Sequence, residues 1–157
     1  MRVLGIAIGG HAYAIPLRLV DEVLPIVPAD PVPGGPAWLL GMAMLRGRLV
    51  PLIDGGIRLG GSAVPLTMNA RTVLLAPAAC EPPMAAALRV ERVRGVGDAD
   101  PRGPGSHPGL VHAADGALGA VTSGEEGILT FIDAGSLMTP AERALFRLDE
   151  PGTVQAS

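Results

Sequence analysis

Apolar residues recur at every second position in two stretches near the start of the chain, residues 4–8 and 13–17. A period of two is typical of a β-strand with one buried face. Gly9-Gly10-His11 lies between the two stretches, and paired glycines in that position are typical of a tight turn. The chain is therefore predicted to begin with a β-hairpin.

The period of the pattern changes after this hairpin. Leu17, Val20 and Leu24 have helical spacing, which predicts one or two helical turns. Five prolines follow between residues 25 and 36, and proline lacks the backbone N–H that regular elements use. The proline-rich stretch at residues 25–36 is therefore predicted to be an extended surface connection.

Short apolar runs separated by glycine and proline continue to residue 132. Each run predicts a short strand, and the runs cover residues 38–45, 49–54, 72–76, 85–96, 110–111, 117–121 and 128–132. The run at 85–96 is long enough for one strand or two. Many short strands are typical of small barrels or a sandwich, so we predict a mostly β fold.

The strongest local signal lies near the C-terminus, at Thr139-Pro140-Ala141-Glu142. Threonine at the N-cap, proline at the first helical position and glutamate at the third form a capping box. We therefore predict a helix at about residues 140–147.

Composition and charge narrow the range of possible functions. The 157 residues, of which 48% are hydrophobic, are enough for one domain with a real core. Aromatic residues make up 3% and the net charge is −3, which disfavours nucleic acid as a partner. The single cysteine, Cys80, excludes an intrachain disulfide and fits a cytoplasmic protein. No apolar run reaches the roughly 20 residues of a membrane span, so no membrane insertion is expected.

Familiar catalytic and nucleotide-binding motifs are missing from the sequence. It contains no Walker A, G-x-S-x-G or H-E-x-x-H pattern. His112 and Asp115 are too few ligands for a metal site, and Glu125-Glu126 is better explained as a turn. We therefore predict a binding module with no catalytic residues, no metal and no cofactor.

The best candidate for a binding element is Leu45-Arg46-Gly47-Arg48-Leu49. It places the planar, five-donor guanidinium of an arginine on a tight turn. A plain hairpin with solvated arginines is the alternative.

Several motifs, in order along the chain, resemble the CheW-like family. The most specific is the Leu-Arg-Gly element ahead of Val-Pro-x-Ile-Asp, at residues 45–54. Supporting matches are Tyr13-Ala14-Ile15-Pro16, Val20-x-Glu22-Val23, Gly41, and residues 71–75, 88–93 and 128–137. The similarity spans roughly residues 3 to 146. The departures suit a divergent paralogue: Met44 replaces the usual Asn, Gly55-Gly56 replaces Leu-Arg, and Glu91 replaces the common Asp.

The resemblance implies a fold of two small five-stranded SH3-like β-barrels packed around a shared apolar seam. A single domain is expected over residues 1–150, with barrels at about 12–66 and 67–138. The first strand, residues 3–8, can pair with the second barrel. The helix at about 140–147 closes the domain, and residues 151–157 are expected to be a disordered tail.

The resemblance also implies a function. A chain of this family is expected to be a non-enzymatic adaptor that couples a CheA-type histidine kinase, through its regulatory domain, to the cytoplasmic tip of a chemoreceptor. The receptor tip is expected in a groove between the barrels. Carried over by position, the residues expected near that groove or its support are Val20, Glu22, Val23, Leu45, Arg46 and Gly47. The residues alone leave two other classes open, a small enzyme with an unrecognised site and an OB-like barrel that binds nucleic acid or oligosaccharide.

Overall fold

The computed structural model describes residues 1–77, 85–108, 113–124, 127–139 and 141–143. Within these residues the chain forms ten strands: β1 (Arg2–Ile8), β2 (His11–Pro16), β3 (Val20–Leu24), β4 (Leu39–Leu45), β5 (Arg48–Asp54), β6 (Arg71–Leu75), β7 (Ala86–Val90), β8 (Arg92–Asp98), β9 (Leu118–Gly124) and β10 (Gly127–Ile132). The helical elements are α1 (Gly55–Arg58), 3-10 turns at Leu17–Leu19, Ala113–Gly116 and Ala134–Ser136, and the helical residues 141–143. None of the described helices is long and apolar enough to cross a membrane.

The strands form two five-stranded sheets, which confirms the mostly β fold. The order in the first sheet is β8-β1-β2-β10-β9, and in the second it is β3-β6-β7-β5-β4. These sheets do not follow the predicted division at 12–66 and 67–138, because β2 joins the first sheet while β6 and β7 complete the second. The reason is two parallel pairings, β2 with β10 and β5 with β7, which join strands far apart in sequence.

Buried side chains form three clusters that follow the alternation of each strand. The largest lies between the sheets and takes Leu4, Ile6 and Ile8 from β1. In β6, Val73 belongs to this cluster, whereas its neighbour Leu74 belongs to a second cluster within the second sheet. A third cluster, within the first sheet, contains Val3, Ala14 and Phe131. The large cluster between the sheets is the shared apolar seam that the resemblance implied.

The helical turns predicted from Leu17 to Leu24 are only partly present. A 3-10 turn covers Leu17–Leu19, but Val20–Leu24 is the edge strand β3, paired antiparallel with β6. Exposure alternates along this strand, with Val20, Glu22 and Leu24 half-buried and Asp21 and Val23 exposed. Because polar Glu22 takes an inward position and apolar Val23 an exposed one, the sequence did not show this period of two.

The proline-rich connection crosses the edge strand β4. Asp30 and Met42 form an antiparallel bridge with two backbone hydrogen bonds of 2.9 Å. Gly41 lies directly beneath this crossing, with a φ of 140°, and an added Cβ would come within 2.2 Å of the Asp30 carbonyl oxygen. The close approach requires glycine at this position, and the crossing covers an otherwise open sheet edge.

The predicted capping box is present at the C-terminal end of the described chain. The Glu142 amide donates to Thr139 Oγ1 at 3.1 Å, and the Thr139 amide donates to Glu142 Oε1 at 2.8 Å. Residues 141–143 are helical. The predictions on Cys80, residues 110–112, Glu125-Glu126, the rest of the helix and the tail 151–157 lie outside the described residues.

Candidate functional site

The hairpin that joins β4 to β5 ends in a two-residue turn formed by Arg46 and Gly47. Leu45 pairs with Arg48 across the turn, and φ is 52° at Arg46 and 79° at Gly47. Two successive positive φ angles define a type I′ turn, whose twist matches that of the flanking strands. A non-glycine residue rarely occupies this region, so the turn holds the Arg46 side chain at the tip against the usual backbone preference.

Arg46 forms an ion pair with Glu22, between its Nη2 atom and Glu22 Oε1. Glu22 lies on β3, which is one edge of the second sheet, and the turn belongs to the hairpin at the other edge. The pair therefore connects the two opposite edges of the second sheet. The Glu22 side chain is 29% exposed and that of Arg46 is 63% exposed. The second oxygen of Glu22, Oε2, is buried and accepts no hydrogen bond from any described residue.

The six residues expected from the resemblance divide into exposed and supporting positions. Val23, Arg46 and Gly47 are exposed, and Val23 is an apolar side chain with 39% of its surface in solvent. Leu45 is buried in the cluster of the second sheet, and Val20 packs partly buried against the cluster between the sheets. The structure thus brings Glu22 and Arg46 together and places Val20 and Leu45 in the packing behind them.

Two further apolar side chains, which the sequence did not single out as binding residues, lie beside the turn. Met44 and Leu49 are direct cross-strand partners in the hairpin, and they are 63% and 59% exposed. Exposed apolar residues that cluster together are typical of interaction surfaces. We use the name hairpin end for the surface formed by Val23, Met44, Leu49 and the Glu22–Arg46 pair.

Asp54 anchors the other end of this hairpin. It is 1% exposed, and its carboxylate accepts hydrogen bonds from the amides of Ile57 at 3.0 Å and Val64 at 3.2 Å. Asp54 is therefore the N-cap of α1 and fixes the loop that follows. The aspartate that ends the Val-Pro-x-Ile-Asp motif has a structural role in this chain.

The Gly55-Gly56 departure also has a packing reason. A Cβ at Gly55 would lie 2.6 Å from the Arg89 carbonyl oxygen, and one at Gly56 would lie 2.0 Å from the Ser62 carbonyl oxygen. Both approaches are to backbone, which cannot move aside easily. Gly55 therefore lets α1 pack closely against β7, and Gly56 lets it approach the following loop at Ser62, where side chains would not fit.

Arg58 is one of the two buried arginines among the described residues, and the sequence analysis assigned it no role. It is 5% exposed, and its guanidinium donates to the carbonyl oxygens of Leu137 at 2.7 Å, Ala114 at 2.6 Å and Ser136 at 2.8 Å. It also lies 5.8 Å from the centroid of the Trp38 ring, a cation–π distance. Arg58 ties α1 of the second sheet to two turns beside the first sheet.

The cavities between the sheets lie elsewhere. A cavity of about 440 Å³ separates the β1–β2 turn from the loop at 59–65, and it is lined partly by Tyr13 and Glu91. Burial raises the pKa of the Tyr13 hydroxyl above its ordinary value of 10.0. None of the six residues carried over from the resemblance lines this cavity. Within the described residues no group of three metal-ligating side chains is close enough to hold a metal ion.

Comparison with known proteins now defines the class of this chain. The CheW-like domain family matches residues 2–142, nearly the whole sequence. The chain therefore belongs to the CheW-like domain family. Its two five-stranded sheets also match the solved structure of the scaffolding protein TtCheW from Thermoanaerobacter tengcongensis, with a TM-score of 0.70 over 83% of this chain and 87% of that one. The sequence identity is 20%, so this match concerns the fold alone.

Curated relatives match a shorter stretch. The chain is 34% identical over 62 residues to the chemotaxis protein CheW of Rhizobium meliloti, which is 40% of either chain. It is 33% identical over 72 residues to the protein PilI of Pseudomonas aeruginosa, which is 46% of this chain and 40% of PilI. The matched stretches thus span about two-fifths of the length of these relatives.

Proposed function

We propose that this chain is a non-enzymatic adaptor that couples a CheA-type histidine kinase to the cytoplasmic tip of a chemoreceptor in a cytoplasmic signalling array. The observation that carries this proposal is the family match over residues 2–142 together with the Glu22–Arg46 pair on the matching motif. The names of the relatives, a chemotaxis protein and PilI, support a chemosensory or pilus-linked setting.

The hairpin end has the chemistry of a protein-binding surface. Arg46 uses one nitrogen for Glu22, and its exposed guanidinium has further donors for a partner carboxylate or carbonyl. Val23, which follows Glu22 on β3, supplies apolar contact area beside this directional group. A charged fork next to an apolar side chain is a common composition of binding hot spots. We assign the receptor tip to the neighbourhood of this pair.

The kinase regulatory domain is proposed to dock through apolar residues of an edge strand. Met44 lies on the edge strand β4, and its partner Leu49 extends the same apolar surface onto β5. Each contact of this kind can be weak alone, because an array gains avidity from many simultaneous contacts. The adaptor therefore needs no large interface with either partner.

The test is isothermal calorimetry of the full chain against the regulatory domain of the CheA-type kinase encoded in the same gene cluster. We expect saturable binding that Met44→Ser and Leu49→Ser weaken at least tenfold, and that Ile26→Ser, an exposed apolar change outside the hairpin end, leaves intact. Absence of heat at high micromolar concentrations of both proteins contradicts the kinase assignment.

A further inference from the structure

An elongated cavity runs along the N-terminal hairpin formed by β1 and β2. It contains none of the residues of the surface that we named the hairpin end, which lies on the second sheet. It consists of two adjoining parts of about 980 and 470 Å³, which share the lining residues Ala12, Arg94, Gly127 and Ile128. Strand β8 bounds it on one side and the start of β10 on the other. We call this cavity the trough. Along β1 it extends at least from Val3 to Ala7, which is about 14 Å at ~3.4 Å per residue.

The charge of the trough is uneven along its length. Arg92 and Arg94 line the part nearest the β1–β2 turn. Arg92 is exposed and forms no ion pair with any described residue. Glu91, beside them, already accepts a hydrogen bond of 2.9 Å from the Gly9 amide. At the other part, Asp98 lies 3.6 Å from Arg2. The turn end is therefore the place where an additional carboxylate is favoured.

Large apolar side chains around the same cavity are exposed to solvent. Ile128 and Val96 line it with 71% and 50% of their surfaces exposed. Thr67 also lines the cavity, and its two neighbours in sequence are exposed apolar residues. Leu66 is 65% exposed and Met68 is 88% exposed. Hydrogen bonds hold this loop in place, since Arg71 Nη1 donates to the Met68 carbonyl at 2.8 Å. The three most exposed large apolar side chains of the described residues, those of Met68, Ile128 and Leu66, thus belong to or adjoin one cavity.

We propose that the trough is a second docking surface, which binds a segment of a partner protein that carries a carboxylate beside large apolar side chains. The carboxylate pairs with Arg92 at the turn end, and the apolar side chains contact Ile128 and Val96. An extended segment of about five residues has the length of the trough, whereas a compact small molecule would leave most of it in contact with water.

The trough is a surface separate from the hairpin end. The trough is lined mainly by residues of the first sheet, whereas the residues of the hairpin end belong to the strands and turn of the second sheet. The two surfaces share no residue, so each can have its own partner. This inference stands on the trough itself and is independent of the kinase and receptor assignments.

The test selects peptides from a phage-displayed library of random 16-residue sequences against the full-length chain. We expect enrichment of sequences with Asp or Glu next to Leu, Ile or Phe. The dissociation constant of the best peptide, synthesised and labelled with fluorescein, is then measured by fluorescence polarisation. Arg92→Glu and Ile128→Ser are each expected to weaken binding at least tenfold, and exchange of the peptide carboxylate for lysine should restore affinity for Arg92→Glu.

The matched control is Arg18→Glu, an exposed arginine outside the trough, which should bind within twofold of the unaltered chain. Ala7→Leu, which fills the trough, should also abolish binding, and the melting temperature of each variant separates lost binding from lost folding. The proposal is overturned if the selected peptides lack acidic residues, or if they bind Arg92→Glu and Ile128→Ser as tightly as the unaltered chain. Neither result would alter the calorimetric test of kinase binding.

Discussion

Arg46 and Glu22 join the two edges of one sheet. Arg46 lies on the turn between β4 and β5, Glu22 lies on β3, and three strands separate β3 from β4 in the sheet order. An exposed ion pair contributes only about 0.2–1 kcal/mol to stability. Its small energetic value indicates that the pair matters more for the position of the guanidinium than for the stability of the fold.

The first prediction follows from the type I′ turn. Asn-Gly is a preferred pair for such turns, so Arg46→Asn should retain or slightly raise the melting temperature while it removes the guanidinium. Arg46→Lys keeps the charge but cannot reproduce the directional fork. Receptor-dependent kinase output, measured in reconstituted arrays, should fall with Lys and fall further with Asn or Ala.

Arg48 is the internal control for that prediction. It is exposed, two residues along the chain, and pairs across the turn with Leu45. Arg48→Ala should leave kinase output unchanged. If Arg46→Asn also signals normally at an unchanged melting temperature, the guanidinium has no part in coupling, and the turn is a plain hairpin with solvated arginines.

Asp54 supports a second prediction, on stability alone. Asp54→Ala removes the acceptor for the Ile57 and Val64 amides in a buried position, and it should lower the free energy of unfolding by about 2 kcal/mol. Asp54→Asn retains one acceptor oxygen, and asparagine is a good N-cap, so its cost should be less than half as large. Urea unfolding curves give both values, and equal losses for the two variants would contradict a capping role.

The capping box at Thr139 gives the third prediction. Thr139→Ala should lower the free energy of unfolding by about 1 kcal/mol, because the Glu142 amide loses its acceptor. Glu142→Ala, which removes the reciprocal bond, should cost a similar or smaller amount, and the double variant should cost less than the sum because the two bonds form one unit. Strict additivity in urea unfolding would show that the box does not act as a unit.

Local features of this fold could be predicted from sequence because their causes are local. The β1–β2 hairpin follows from alternation around two glycines, and the cap follows from residues within four positions of one another. The Arg46-Gly47 turn was recognisable for the same reason. At β3, however, polar Glu22 takes a half-buried position and apolar Val23 an exposed one, and pairing with β6 overrode the apparent helical spacing.

Long-range features could not be predicted in this way. Sheet membership depends on the parallel pairings of β2 with β10 and β5 with β7, and no pattern within either strand identifies its partner. The contact of Arg46 with Glu22 spans 24 positions, and only the family resemblance placed both residues in one site. For Arg58 the available signal was a lone cation between Ile57 and Leu59, which is equally typical of a solvated surface residue.

Tyr13 gives a prediction on pH dependence. Its pKa is raised by burial, so as the pH rises the unfolded chain loses the tyrosine proton before the folded chain does. The free energy of unfolding should therefore fall once the pH exceeds about 10, by at most about 1.4 kcal/mol per pH unit. Tyr13 is the only tyrosine and the chain contains no lysine, so no other side chain has an ordinary pKa near 10. Tyr13→Phe should remove the slope, and phenolate absorbance should show ionisation above pH 10; an unchanged slope in Tyr13→Phe would assign the effect to another group.

The last prediction concerns Arg58, whose three carbonyl partners belong to two turns far along the chain. Arg58→Met keeps much of the apolar volume but leaves the carbonyls of Ala114, Ser136 and Leu137 without this donor. Buried acceptors without a partner each cost about 1–3 kcal/mol, so the free energy of unfolding should fall by roughly 3 kcal/mol or more. Arg58→Lys presents a compact ammonium that cannot reach three separated oxygens in the same geometry, and its loss should be intermediate.

Fluorescence of Trp38, the only tryptophan, reports on the same place, because its ring lies 5.8 Å from the Arg58 guanidinium. Urea unfolding followed by this signal and by far-ultraviolet circular dichroism should give coincident transitions for the unaltered chain. In Arg58→Met the Trp38 transition should shift to lower urea more than the circular dichroism transition, since the contact between α1 and the two turns is lost before the sheets unfold. Arg18→Met, at an exposed position, should change stability by less than about 0.5 kcal/mol. Equal effects of Arg58→Met and Arg18→Met would show that the buried guanidinium does not hold the two halves together.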